Sequence, residues 1–321
     1  MNDESVTTEA GMPDLDGPDQ WYKDLVSPAL TRRLLELCRD EDLGPNHRDT
    51  TGTLMVARSE RGEAWIVTRE AGIVCGLSAI VDILDIFATT TLFRGLVRDG
   101  DAVEPGQRLG ALLGPRREIL AAERTLLNLL GRLSGVATLT KRYVDAVAGS
   151  KAQVVDTRKT NPGLRHLEKY AVRGGGGRSH RMGLYDAVLV KDNHLAGLNP
   201  ANAAAKVAGV AELARAEYAP AFIEVEVDTL DQLEAMLGLE EGVIDIVLLD
   251  NMPAELLAKA VELRDRSGSR VLLEASGGIT LDSIGDAARS GVDRIALGAI
   301  THQAVWLDIG LDAGPSIEQP T

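Results

Sequence analysis

Cysteine is nearly missing from this sequence. Two occur in 321 residues, Cys38 and Cys75, far apart and in no ligand-like spacing. That excludes a disulfide framework and a cysteine zinc site, and it fits a reducing compartment. Basic charge is scarce as well: 34 Lys and Arg face 48 Asp and Glu, for a net charge of -14. Such a chain repels polyanions, which sets aside nucleic acid and anionic membranes as partners. Long hydrophobic runs are absent. The longest apolar stretch, "AGIVCGLSAIVDILDIFA", is broken by Asp82 and Asp85 and is too short and too charged to span a bilayer. The first nineteen residues lack the basic and apolar regions of a signal peptide and are expected to form a disordered acidic tail. These features together predict a cytoplasmic protein. With 45% apolar residues, the chain can bury the core of one large α/β domain or two ordinary ones.

The two halves follow different patterns. Residues 20–137 read as a mixed α and β unit. "PALTRRLLELCRDEDLG" and "LSAIVDILDIFA" have helical spacing, and the first ends at Gly44. "GTLMVARS" and "GEAWIVTREAGIVCGL" read as strands around the turn "SERG". "LFRGLVRDGDAVEPGQRLGALLG" places Asp99-Gly100 and Pro105-Gly106 turns between short strands. Its centre is similar to the hairpin of a lipoyl carrier, but no lysine stands at the tip. A long helix or helix pair follows over "REILAAERTLLNLLGRLSGVATLTKRYVDAV", with an apolar face through Leu120, Leu127 and Leu130.

From about residue 150, short apolar runs alternate with helical stretches. The runs are "QVVDTRK", "DAVLVKDN", "FIEVEVD", "IDIVLLDN", "RVLLEASGG" and "RIALGAI". They are β-branched and nearly continuous, as parallel strands buried on both faces are. Each ends in residues that can do chemistry or hold an anion: Arg158 and Lys159, Lys191, Glu226, Asp250, Ser276 with Gly277 and Gly278, and Gly298. The carboxyl ends of such strands form the active face of α/β barrels and open parallel sheets. The fold class is therefore α/β, and the function an enzyme's.

Charge narrows the ligand. Between Arg158 and Lys191, eight Lys or Arg face only Glu168 and Asp186. Lys169 in the helical "GLRHLEKYAVR" reads as a surface residue, paired with Glu168 or solvent. Arg158, Lys159 and Lys191 stand at strand ends, where a basic recess in an acidic protein draws in small anions. Glu226 and Asp250 beside them fit a bridging Mg²⁺ or sugar hydroxyls. "SGG" at 276–278 and "GAI" at 298–300 offer backbone N–H groups ahead of helices, a form suited to a phosphate. The expected ligand is a phosphorylated sugar with a second anionic group.

Residues 157–194, "TRKTNPGLRHLEKYAVRGGGGRSHRMGLYDAVLVKDNH", closely resemble the signature of the quinolinate phosphoribosyltransferases. "AERTLLNLLGRLSGVAT", "IEVEVD", "VLLDN", "EASGGI", "GVDRIALGAITH" and "LDIGLD" extend the resemblance, in order, over residues 25–312. The resemblance implies an N-terminal α/β sandwich (20–137, rejoined by 303–321) and a C-terminal open α/β barrel (138–302). It implies a homodimer, Mg²⁺, and transfer of phosphoribosyl from 5-phosphoribosyl 1-diphosphate to quinolinate. The products would be nicotinate mononucleotide, diphosphate and CO₂, in NAD biosynthesis.

Carried over position by position, Arg124 is implied to reach quinolinate across the dimer. Thr157, Arg158 and Lys159 would meet the quinolinate carboxylates and the diphosphate region, and His180 and Arg181 the carboxylates. Lys191 would stand near the reacting centre. Glu226 and Asp250 would meet ribose hydroxyls and Mg²⁺. Ser276, Gly277, Gly278, Leu297, Gly298, Ala299 and His302 would seat the 5-phosphate. Gly174, Ser179, Asn161 and Trp306 depart from the usual pattern, but none of them removes a charged ligand.

Three other readings stand beside this one. A related phosphoribosyltransferase encoded with molybdenum transport shares the fold and an "RKT" motif. A Schiff-base aldolase could use Lys159 or Lys191. A non-catalytic carrier or anion-binding module could be built on the lipoyl-like hairpin. The four glycines at 174–177 are no P-loop, since Arg178 and Ser179 follow in place of Lys-Ser/Thr. They are expected to let the backbone turn and pass close to the substrate.

Overall fold

The structure, a computed structural model, describes residues 17–316. The expected acidic tail over 1–19 lies largely outside the described residues. Its last two positions open a helix, Pro18–Leu25, with proline in the first turn. The described chain packs as two units, one of residues 142–159 and 177–299, the other of 17–141, 160–176 and 300–316. Each unit is assembled from more than one stretch of the sequence.

The second of these units carries β1 (Arg61–Thr68), β2 (Gly72–Ile73), β3 (Leu92–Gly95), β4 (Ala102–Val103) and β5 (Arg108–Pro115). Four strands form an antiparallel sheet in the order β12-β1-β5-β3, where β12 is Ile309–Ser316, the returning end of the chain. β2 and β4 pair separately. The "DGDAVEPGQRL" segment is a strand between two turns, with Gly100 and Gly106 at positive φ. The sequence expectation fails over "GTLMVARS". Residues Thr50–Met55 form a helix, because Asp49 caps it by accepting a 2.9 Å bond from the Gly52 N–H. The first strand begins only at Arg61.

One helix of 31 residues, Arg116–Ala146, replaces the expected helix or pair. Its buried stripe runs through Ala122, Leu126, Leu130, Leu133 and Ala137, whereas Leu120 faces solvent. The glycine run ends a second helix, Arg165–Gly174, beside it. A Cβ on Gly175 would collide with the Ala137 carbonyl oxygen and lie 2.6 Å from Thr140 Cβ. These glycines let the helix end touch the long helix, so the close approach seen here is to backbone. Lys169, expected at the surface, is fully buried, and Glu168 is taken by Arg132 at 2.7 Å. Charges this deep need partners, and Arg132 also donates to the carbonyls of Thr301 and Ala304.

The other unit is a six-stranded parallel sheet of β6 (Gln153–Val155), β7 (Val188–Val190), β8 (Ile223–Val227), β9 (Ile246–Asp250), β10 (Leu272–Ser276) and β11 (Arg294–Ala296). Its order is β6-β11-β10-β9-β8-β7, so β6 and β7 are edges that do not pair, and the barrel is open. All six apolar runs read from the sequence are strands. Val225, Val247, Leu249, Leu273 and Ile295 are completely or almost completely buried on one face of the sheet. The alternate positions carry Glu224, Glu226, Leu248, Asp250, Glu274, Ser276 and Arg294. Among the described residues, no helix is long and apolar enough to cross a membrane.

Candidate active site

The strand ends of the parallel sheet gather the expected residues by register. Glu226 lies opposite Leu248 and Ser276 opposite Asp250, so Glu226, Asp250 and Ser276 share one end and one face. Lys191 follows β7 and reaches Glu226 at 3.4 Å. Burial raises the Glu226 carboxyl, Lys191 pulls it back down, and the nearby charges of Asp250 and Asp192 push it up again. Asp250 accepts a 2.6 Å bond from the Asn251 side-chain amide. Two carboxylates and a lysine thus stand together at the mouth of the sheet.

The second cluster follows β6. Thr157 Oγ1 accepts from the Lys159 N–H at 3.0 Å, which bends the chain just past the strand and leaves the Lys159 side chain exposed. Arg158 is half-buried, and its Nε has no hydrogen-bond partner. Arg181 is buried, touching the Ala187 carbonyl at 3.4 Å. Burial and the neighbouring Arg158 lower Arg181 below the ordinary guanidinium range, while Glu224 and Asp186 oppose the shift. A buried guanidinium whose charge is disfavoured by a second one is an arrangement able to take an anion.

The loop that holds Arg181 has almost no regular structure, yet its backbone is fixed. The N–H groups of His180, Arg181, Met182 and Gly183 each donate to a side chain: Asp156 at 2.8 Å, the His180 ring at 2.7 Å, and the two oxygens of Asp186 at 2.6 and 2.8 Å. Upstream, Arg178 bridges to β6, with N–H to the Val154 carbonyl at 2.8 Å.

After β10, Gly277 and Gly278 have φ of 93° and 61°. A Cβ on Gly277 would strike the Asn251 side chain, whereas Gly278 faces open space. Only glycine fits the first of these, and the second leaves its backbone accessible. The helix expected directly after Gly278 begins later, at Ile284, and is six residues long. Leu297 is buried and bonds Val155 at 2.9 Å, and Gly298 precedes a four-residue helix, Ala299–His302. His302 is exposed and belongs to the other unit, as does Arg124, exposed on the long helix.

The sequence reading named His180 but overlooked its partners, which lie deeper on the same sheet face. His180, Glu224, Glu274 and Arg294 are all buried and close together. Their signal was present: Glu224 and Glu274 stand two positions before Glu226 and Ser276, on the same side of a strand.

Family models match nearly the whole of this architecture. Residues 49–134 match the N-terminal domain of quinolinate phosphoribosyl transferase, and residues 136–312 match its C-terminal domain. The chain belongs to the quinolinate phosphoribosyltransferase family. It is 45% identical over 249 residues to the nicotinate-nucleotide pyrophosphorylase [carboxylating] of Mycobacterium leprae, covering 77% of this chain and 84% of that one. It is 39% identical over 259 residues to the probable enzyme of that name from Bacillus subtilis, covering 80% and 85%. Among solved structures, the nicotinate-nucleotide pyrophosphorylase of Francisella tularensis superimposes with a TM-score of 0.79 at 34% identity, over 94% of this chain and all of that one. The sandwich and open barrel expected of the family are the fold observed.

Proposed function

We propose that this protein transfers phosphoribosyl from 5-phosphoribosyl 1-diphosphate to quinolinate with decarboxylation, a step of NAD biosynthesis. The observation that carries the reading is the pair Arg158, half-buried with its Nε unpaired, and Arg181, buried beside it in charge range. Quinolinate, a pyridine with adjacent carboxylates, is a planar dianion suited to two such forks. Thr157 shapes the turn that presents Lys159.

Lys159 and Lys191 supply positive charge for the diphosphate. Ser276, Gly277 and Gly278, with Leu297, Gly298, Ala299 and His302, seat the 5-phosphate, and Glu226 and Asp250 meet the ribose hydroxyls. Glu226 and Asp250 also fit Mg²⁺, since carboxylate oxygens suit a hard cation and their mutual repulsion favours one between them. When bound, the ion would neutralise charge on the leaving diphosphate.

The chemistry makes modest demands on the side chains. The pyridine nitrogen attacks the anomeric carbon as the bond to the diphosphate oxygen breaks, and the diphosphate leaves with that electron pair. The arginines hold the ring in line, and the lysines stabilise the departing charge. The carbon–carbon bond to the 2-carboxylate then breaks. CO₂ leaves, the electron pair stays on the now cationic ring, and a proton from water fills the position. No strong base is needed. The Lys191–Glu226 ion pair suits a fixed cation better than a neutral amine for Schiff-base chemistry.

The active unit in this reading is a homodimer, with Arg124 reaching the partner's quinolinate, in the cytoplasm. Incubation with quinolinate, 5-phosphoribosyl 1-diphosphate and Mg²⁺ tests the reading. Nicotinate mononucleotide and CO₂ are expected; product from nicotinate but not from quinolinate would refute the substrate.

A further inference from the structure

Beneath the strand ends, the parallel sheet carries a layer of charge. Barrel interiors are ordinarily filled with branched apolar side chains. Here Glu224 and Glu274 are fully buried, Arg294 nearly so, and His180 lies against them. Residues from β8 and β11, about 14 Å apart on a flat sheet at ordinary strand spacing, meet on this face, where Arg294 stacks 5.7 Å from the Phe222 ring beside β8. Taking such charges out of water costs several kcal/mol per ion, so the layer needs a reason to exist.

The contacts supply one. Arg294 Nε lies 2.7 Å from Glu274 Oε2, an ion contact whose angle falls short of a good hydrogen bond. His180 Nε2 lies 2.7 Å from Glu224 Oε2 and 3.5 Å from Glu274 Oε1. The other ring nitrogen, Nδ1, lies 2.7 Å from the backbone nitrogen of Arg181. A backbone N–H can only donate, so Nδ1 accepts, the ring proton sits on Nε2, and Nε2 donates to Glu224. Both ring nitrogens are engaged inside the protein, and the side chain is 7% exposed. Phe222 packs edge-on at 5.2 Å and fixes the ring plane.

Three groups here could also hold a metal ion. Arg294 already supplies the positive charge at Glu274, which favours a brace over a metal site.

We infer that His180 is a positioning residue rather than a ligand of the acceptor. The buried layer Glu224–Glu274–Arg294 holds its ring, and the ring holds the backbone of Arg181, so that the guanidinium meets the acceptor's carboxylate. The inference rests on the quinolinate reading above and assigns Glu224, Glu274 and Arg294 a part in acceptor binding without contact to it.

Two substitutions separate the roles of the ring. In His180→Asn the amide oxygen stands where Nδ1 accepts from Arg181; in His180→Gln the amide stands near Nε2 and that acceptor is lost. His180→Gln is expected to raise the KM for quinolinate about tenfold, the loss of one ordinary buried hydrogen bond. The KM for 5-phosphoribosyl 1-diphosphate should stay unchanged, and His180→Asn should restore most of the loss. Glu274→Gln should raise the quinolinate KM in the same selective way. Equal damage from both histidine variants, with Glu274→Gln silent, would overturn the brace and make the ring a ligand. A separate readout uses the wild-type protein: ¹⁵N NMR of the histidine ring should show the Nε2–H tautomer with and without quinolinate. A ring that changes tautomer or protonation on adding quinolinate would overturn the inference. A wild type that binds no quinolinate, yet shows that tautomer, would sink the substrate reading and leave the brace standing. Zinc binding at a 1:1 ratio that is abolished by Glu274→Gln would also overturn it, in favour of a metal site.

Discussion

In the proposed reaction, Arg158 and Arg181 carry the chemistry at the scale of single residues. Arg158 disfavours the charge on Arg181, and in that reaction removing either is expected to cost acceptor affinity first. Arg181→Ala is expected to weaken quinolinate binding by about 1.5–3 kcal/mol, roughly 10- to 100-fold, as losing a bond to a charged group does. 5-Phosphoribosyl 1-diphosphate should bind as before, and calorimetric titration with each ligand checks both halves. Glu274 makes a different prediction. Burial and the neighbouring Glu224 push its carboxyl up to about 7, against the pull of Arg294. The folded state then binds a proton that the unfolded chain releases above its ordinary value near 4.5. Stability from this group is greatest below that value and falls as pH rises toward about 7. Melting curves across this window should slope downward less steeply in Glu274→Gln than in the parent; parallel slopes would contradict the assignment.

Elements explain why some features were legible in the sequence and others were not. The six parallel strands were readable because continuous β-branched runs have one physical explanation, burial on both faces. The strand-end residues followed from the strands. "GTLMVARS" was misread because one capping bond, Asp49 to Gly52, outweighs the β-branched content around it. Lys169 was misplaced because spacing gives a helix face, not what covers it. The charged layer was hidden in plain alternation: Glu224 is apolar-flanked, and nothing local says that a histidine 44 residues away closes on it. The glycine run was expected to pass close to the substrate; Gly174 and Gly175 in it pack tightly, against Cys75 and the long helix. Gly175→Ala is therefore expected to lower stability by about 1–3 kcal/mol through overpacking, measured by denaturant melts, with the quinolinate KM changed little. A stable variant with lost acceptor binding would return these glycines to the site.

For the whole molecule, the net charge of -14 surrounds a local concentration of arginine and lysine. Such a balance is expected to favour small anions over large polyanions as ligands. Assembly belongs to the same scale. If Arg124 completes a partner's site, mixing Arg124→Ala and Arg181→Ala proteins at a quinolinate concentration too low for either alone should regenerate about a quarter of the parent activity, since half the random dimers carry one intact site. No recovery after verified subunit exchange would place Arg124 in its own subunit's site or outside any. The central claim, decarboxylating transfer to quinolinate, is tested most directly by following both products from carboxyl-labelled quinolinate. With 5-phosphoribosyl 1-diphosphate and Mg²⁺, the account predicts labelled CO₂ from the 2-carboxylate and nicotinate mononucleotide in equal amounts. Nucleotide formed without CO₂, or neither product, would contradict it.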